Sequence, residues 1–233
     1  MFTGLIREIG RIRALVPRRG VVRLDVEAPQ LSATAVLGES IAVNGICLTV
    51  TAVKGRVISM EAAGETRRLT TFESWRRGLK VHLEPALRAG DPLDGHLVQG
   101  HVDGVGKIIS VKKSGGSLMM TVGLGPKMAR FLTPKGSVAV DGVSLTVDEG
   151  PFTDQFTVNL IPHTLQETTF DAARNGRKVN LEMDVLVKAA RTGSGWSGIE
   201  DSKTTPADSK PAGLTLERLL AKGFGRLGSK GRS

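Results

Sequence analysis

One cysteine, no tyrosine and two tryptophans occur among 233 residues, and these scarcities already exclude several kinds of protein. A single thiol, Cys47, cannot close a disulfide or build a thiolate metal cage within one chain. The histidines, His82, His96, His101 and His163, offer nothing tighter than His96 and His101, whose spacing fits no common metal motif. We therefore expect no metal. Seven Phe and two Trp are too few for the stacking platforms of single-strand binders. No apolar run is long enough to span a bilayer. The opening Met1-Phe2-Thr3-Gly4-Leu5-Ile6 shows no basic leader, apolar signal core or small-residue cleavage site. The expectation is a soluble, cytoplasmic protein that does not engage membranes.

Positive charge, by contrast, is abundant: the formal net charge is +9. Excess Lys and Arg attract phosphate whatever the fold, which raises a nucleic-acid reading. The surplus is not evenly spread, however. From Lys203 to Ser233 seven Lys/Arg face two Asp/Glu, so more than half of it lies in a terminal tail of the usual solvated kind. Nucleic acid is not an expected partner.

Glycine is plentiful, at 29 residues, and short Val/Ile/Leu runs alternate with turn residues. Val21 to Glu27, Ser40 to Val43, Cys47 to Val53, Val57 to Glu61 and Lys80 to Glu84 are β-branched, alternate in polarity and read as strands. Asn44-Gly45 and Asp141-Gly142 are strong hairpin signals, since both positions of such a pair tolerate positive φ. Thr34 to Leu37 and Gly125 to Leu132 are expected to form short helices plugging one barrel end each.

The chain also repeats itself. Residues 38 to 50, GESIAVNGICLTV, align with 135 to 147, KGSVAVDGVSLTV, and seven of the twelve positions from Glu39 onward are identical. Gly4 to Ile12 lies over Gly100 to Ile108, Glu65 to Phe72 over His163 to Phe170, and Lys80 to Glu84 over Lys178 to Glu182. Matched blocks in one order mark a duplicated domain. The expected fold is all-β: two homologous six-stranded antiparallel Greek-key barrels, then a short C-terminal helix and a basic tail. We place one barrel at 1–97, the second at 98–187, and helix, linker and tail at 188–233. After Asp184, Val185 to Ala190 reads as helix, Arg191 to Gly213 as mobile linker, and Leu214 to Lys222 as a second short helix.

Particular motifs carry a family resemblance. Met1-Phe2-Thr3-Gly4-Leu5, the repeated VNGICLTV and VDGVSLTV, Gly95-His96-Leu97-Val98-Gln99-Gly100-His101-Val102-Asp103-Gly104 and Asn159-Leu160-Ile161-Pro162-His163-Thr164-Leu165 resemble the α-chain of the riboflavin synthase family, over residues 1 to about 187. The resemblance implies two barrels, each holding one 6,7-dimethyl-8-ribityllumazine. It also implies a homotrimer in which the N-terminal barrel of one chain faces the C-terminal barrel of the next. One lumazine would give a four-carbon unit to the other, yielding riboflavin and 5-amino-6-ribitylaminouracil with no cofactor. It leaves room for association with lumazine synthase. The segment after Asp184 departs from the family's long terminal helix, which bears on assembly more than on chemistry.

Such a reaction needs proton loss from the C7 methyl of one lumazine, a nucleophile adding to C7 of the other, and stabilisation of a delocalised anion. The copies differ where that asymmetry is needed: Cys47 matches Ser144, Asn44 matches Asp141, Glu65 matches His163 and Leu5 matches His101. Alone, Cys47 reads as a small buried hydrophobe; by resemblance it adds to the acceptor ring or hydrogen-bonds substrate. Ser144 is either a strand serine or a group orienting substrate. His101 titrates near neutrality and suits proton transfer, or else caps a turn; His96 is the weaker candidate and braces the loop. Asp184 is a helix N-cap or an anion-positioning carboxylate, and Asp141 a turn former or a contact at the reacting end. Substrate contacts carried over from the family are Gly4, Leu5, Ile6, Ser40, Leu48, Thr49, Glu65, Thr66, Gly100, Val102, Lys135, Leu145, Thr146, Asn159, Ile161, Pro162, His163 and Thr164. The main rival reading is a non-catalytic lumazine or flavin carrier of the same superfamily, which typically loses polar site residues from one barrel.

Overall fold

The computed structural model describes residues 1–148 and 153–193. β1 (Glu8–Arg18), β2 (Val21–Glu27), β3 (Ser40–Val43), β4 (Ile46–Lys54), β5 (Val57–Ala63) and β6 (Lys80–Pro85) close into an antiparallel barrel ordered β1-β2-β5-β4-β3-β6. The second half repeats that order with β7 (Gly104–Ser114), β8 (Ser117–Gly123), β9 (Ser137–Val140), β10 (Val143–Thr146), β11 (Gln155–Leu160) and β12 (Lys178–Met183). Here the seam between β10 and β11 is joined by a single bridge, Val147 to Val158.

Alternation explains why these segments are strands. In β2, Val22, Leu24 and Val26 point inward while Arg23 and Asp25 face out; β8 does the same with Leu118, Met120 and Val122. Ile12, Leu24, Met60 and Leu83 fill the first barrel, and Ile108, Met120, Leu160 and Leu181 the second, all essentially inaccessible to solvent. Each such side chain contributes about 1.5–3 kcal/mol by leaving water. The tips of β3-β4 and β9-β10 are the expected two-residue turns, with φ of 45° and 77° at Asn44-Gly45 and 45° and 79° at Asp141-Gly142.

The first of the two expected short helices lies earlier than the sequence suggests. A 3-10 turn occupies Leu31–Ala33, and Thr34 to Leu37 follow it without helix. The cause is Glu8, whose carboxylate accepts hydrogen bonds from the Gln30 and Leu31 amides at 3.1 and 2.8 Å and fixes the turn there. α1 (Gly64–Leu69) follows β5; in the second half α2 (Pro126–Ala129) stands within the expected 125–132 segment and α3 (Pro162–Gln166) follows β11. α4 (Val185–Gly193) extends three residues past the expected end at Ala190. The remainder of the linker and the Leu214 to Lys222 helix lie outside the described residues. No helix among the described residues is long and apolar enough to cross a membrane.

A small apolar cluster of Phe2, Ala42, Val98 and Ala139 joins the two halves, with Phe2 and Val98 paired backbone to backbone. Beside it lies a polar network with approximate two-fold symmetry. Asn180 accepts from the Thr71 amide at 2.7 Å and donates to the Asn44 carbonyl at 2.8 Å. Its counterpart His82 accepts at Nε2 from the Thr169 amide at 2.9 Å, which leaves Nδ1 to donate to the Asp141 carbonyl at 2.9 Å. Burial holds His82 neutral, with its pKa down at about 4.

Candidate functional site

In the first barrel, β4 and β5 pair from Val50–Met60 to Lys54–Val57, yet β4 reaches back to Ile46 and β5 runs on to Ala63. The unpaired stretches form an open seam. Val50 exchanges hydrogen bonds with Glu39 and Gly38 on the β3 side. Because a strand's hydrogen-bonding edges alternate, Thr49 turns its N–H and C=O the other way, into the seam. The second half repeats this arrangement. Val147 bonds Gly136 and Lys135, so Thr146 faces the seam, and the Thr157 carbonyl accepts from Asp148, so Asn159 and Ile161 face it from the far wall. Each seam thus offers alternating main-chain donors and acceptors, the complement of a flat heterocycle edge.

The end of each seam is built by the other half of the chain. The Gly100 carbonyl accepts from the Cys47 amide at 3.0 Å, and the Gly4 carbonyl from the Ser144 amide at 2.8 Å. The approach is too close for any other residue: a Cβ on Gly4 would sit 2.6 Å from that of Ser144, and one on Gly100 2.6 Å from that of Cys47, and both glycines have positive φ. Past these glycines the crossing continues, since Ile6 packs on the second core and Val102 on the first.

Two carboxylates the sequence reading left without a role hold the crossing segments. Glu84 accepts from Thr3 N, Thr3 Oγ1 and Gly4 N at 2.6, 2.7 and 3.0 Å, and Glu182 from Gln99 N and Gly100 N at 2.6 and 2.9 Å. Burial raises the pKa of both, bringing Glu182 to about 7 against the opposing pull of the two amides and Lys188. Their signal in the sequence was a charge kept at the same buried strand position in both copies.

His96 also gains a role. It is buried, its Nδ1 lies 2.7 Å from Ser144 Oγ, and its Nε2 has no hydrogen-bond partner among the described residues. Burial lowers its pKa while the charge of Asp184 opposes the shift. A neutral imidazole on a serine hydroxyl can take its proton or orient it toward a bound molecule. Nothing local to the sequence announces a contact spanning 48 positions.

The other expected site residues fall into two sets. Cys47, Leu48, Thr49, Ser40 (paired with Thr49), Gly100, His101 and Val102 belong to the first seam, which runs into Glu65 and Thr66 on α1. Ser144, Leu145, Thr146, Gly4, Leu5, Ile6 and Asn159 belong to the second, which runs through Ile161 into Pro162, His163 and Thr164 on α3. Cys47 and Ser144 are half-buried on outer strand faces, and His101 is exposed. Lys135 stands beside β10 with a strained φ of 59°, where the first copy has Gly38. Asp184 caps α4, accepting from the Leu186 amide at 2.8 Å. Asp141 lies at neither seam. Its carboxylate accepts from the Asn180 amide at 2.8 Å and from Arg177 at 2.9 Å, and it lines a cleft of about 1160 Å³ between the halves. Among the described residues no group of three or more His, Cys, Asp or Glu is placed to hold a metal ion.

Comparison with known proteins agrees with the duplication. The Lumazine binding domain matches twice, at residues 3–86 and 99–184. The chain is 44% identical over 195 residues to riboflavin synthase of Brucella abortus (strain 2308), covering 82% of this chain and 96% of that one. With riboflavin synthase of Bacillus subtilis (strain 168) the identity is 38% over 188 residues, 81% of this chain and 87% of that one. Among solved structures, LumP complexed with riboflavin superposes with a TM-score of 0.73 at 22% identity over 78% of this chain and 99% of that one, a likeness of fold. Two lumazine binding domains in tandem, together with relatives matched over most of their length, establish that the chain belongs to the riboflavin synthase family.

Proposed function

We propose that this enzyme is a riboflavin synthase that converts two molecules of 6,7-dimethyl-8-ribityllumazine into riboflavin and 5-amino-6-ribitylaminouracil by four-carbon transfer. The observation that carries the reading is a pair of seams alike in main chain and unlike in side chain. Both present the same donor and acceptor edge, as two copies of one substrate require, while one ends at Cys47 and the other at the Ser144–His96 pair. A dismutation needs that inequality, because one molecule donates carbon and the other accepts it. In this reading Cys47 and His101 act at one seam, and Ser144 with His96 at the other, where Asp184 lends its charge. The barrels are taken as 1–97 and 98–187.

The reading extends to assembly as a homotrimer in which the first seam of one chain meets the second seam of the next. Enclosing two lumazines together replaces a chance encounter by a high effective concentration. Exposed Ile161 beside the second seam and exposed Leu186 on α4 are apolar surface suited to such contact. The location is taken as cytoplasmic.

The competing reading, a lumazine carrier, rests on the LumP fold likeness, one example of which is a complex with 6,7-dimethyl-8-ribityllumazine. Incubating purified protein with that lumazine alone and following riboflavin by absorbance separates the two. Riboflavin accumulation is expected; tight binding without product would refute the enzyme reading in favour of the carrier.

A further inference from the structure

The buried carboxylates Glu84 and Glu182 sit in equivalent places of the two barrels, yet neither touches the seam of its own half through the bonds it makes. From Glu182 on β12, hydrogen bonds run to the Gln99 and Gly100 amides, and the Gly100 carbonyl then grips the Cys47 amide in the first barrel. From Glu84 on β6, they run to Thr3 and Gly4, and the Gly4 carbonyl grips the Ser144 amide in the second barrel. In both routes a single glycine residue lies between carboxylate and site residue. A glycine held from its N–H and holding from the adjacent C=O transmits displacement with little slack, since a Cβ could not fit and neighbouring atoms are already in contact.

We propose that Glu84 and Glu182 are crossed positioning residues: Glu182, in the second barrel, sets the placement of Cys47 in the first, and Glu84, in the first barrel, sets that of Ser144 in the second. Each seam is thereby registered by the opposite half of the chain. The roles of Cys47 and Ser144 at the seams are those of the function proposed above, but the crossing itself is a claim about geometry.

Charged surroundings differ between the two. Glu182 is faced by Lys188 and Asp103, themselves paired at 2.9 Å, and Glu84 by Arg7. With a carboxyl pKa of about 7, Glu182 carries a proton part of the time near neutrality and then offers only one oxygen as a good acceptor to two amides. Cys47 placement should therefore vary with pH around that value.

Because Cys47 is the only cysteine, its alkylation by iodoacetamide reports the first seam without reference to catalysis. In the full-length protein, Glu182→Gln should change the alkylation rate by roughly three- to tenfold, the scale of one compromised hydrogen bond, while Glu84→Gln leaves it unchanged. In a Cys47→Ser, Ser144→Cys protein the reporter moves to the second seam, and the sensitivities should exchange. With each rate divided by the thiolate fraction found by titrating that protein's own thiol, the ratio of wild-type to Glu182→Gln alkylation should inflect near pH 7, as a purely structural role would not require. Should Glu182→Gln fail to fold, Glu182→Asp, which keeps the charge and withdraws it, should shift the rate in its place. Equal effects of both glutamates on Cys47, an effect from Glu84 alone, no effect from either, or a flat ratio with pH would overturn the proposal. None of these readings depends on riboflavin formation, which the lumazine assay tests separately.

Discussion

Replacing His82 by Asn, the residue its partner position Asn180 already carries, probes the network between the halves in quantitative terms. An asparagine at 82 can accept from the Thr169 amide and donate to the Asp141 carbonyl, as Asn180 does toward Thr71 and Asn44. What it loses is the edge-on contact with Phe170, whose ring lies 5.3 Å from the imidazole. That loss is worth about 0.5–1.5 kcal/mol at neutral pH. The larger effect appears in acid. Burial lowers the His82 pKa from 6.5 to about 4, so between those values the unfolded chain binds a proton that the folded chain refuses. Stability is thus intact above 6.5 and falls as pH drops through the window, by about 2 kcal/mol at around pH 5 and about 3 kcal/mol once pH is below 4. Glu182 runs the other way, since its raised pKa makes stability fall as pH rises toward 7, but that contribution is common to both proteins and cancels in their difference. Urea unfolding of wild type and His82→Asn at about pH 7.5 and about pH 5 should therefore show the variant slightly weaker at the first and comparable or stronger at the second. If both proteins lose the same stability between the two conditions, the neutral, doubly hydrogen-bonded His82 is refuted.

Three further substitutions test other parts of the structure. Asn180→Leu leaves the Thr71 amide and the Asn44 carbonyl buried without partners and should destabilise by about 2–5 kcal/mol, read as a lower urea midpoint with unchanged slope. His96→Phe fills the same space without a ring nitrogen for Ser144, so riboflavin formation should drop by roughly 10²–10⁴-fold in kcat while thermal stability stays near wild type; parallel losses of both would make His96 a packing residue. Lys135→Gly relieves a φ of 59° and should leave stability unchanged or raise it by up to about 1 kcal/mol. An accompanying loss of turnover would show that the strained lysine is retained for its ammonium group.

Most of the architecture could be read from the chain because its signals are local or periodic. Val22, Leu24 and Val26 alternate with polar neighbours, Asn44-Gly45 and Asp141-Gly142 can hardly be other than tight turns, and the repeat fixes where the second barrel must follow the first. The early turn at Leu31–Ala33 was not legible because it is set by Glu8, on a strand 23 positions away in sequence. The same reason hid the strongest features of the site. Motif matching gathers Cys47, Ser144 and the glycine-histidine runs, but says nothing of the bond from Gly100 to Cys47 or from His96 to Ser144. Asp141 shows the converse: its place beside a site motif draws attention, while the fold turns its carboxylate to Asn180 and Arg177.

Crossing of the glycine segments bears on why the two barrels remain one chain. Were each barrel complete in itself, a mutation in one seam would leave the other untouched, and the copies could drift apart freely. Here the Ser144 amide depends on Gly4, held by Glu84 of the first barrel, and the Cys47 amide depends on Gly100, held by Glu182 of the second. A barrel cut free would lose the carbonyl that closes the end of its seam. Its unpaired Cys47 or Ser144 amide would then turn to water, and the strand edge would be free to shift. The main-chain edges of a seam can thus be made by one copy, but the placement of Cys47 or Ser144 at its end needs two, which ties the unlike side chains of the proposed site to the duplication that produced them.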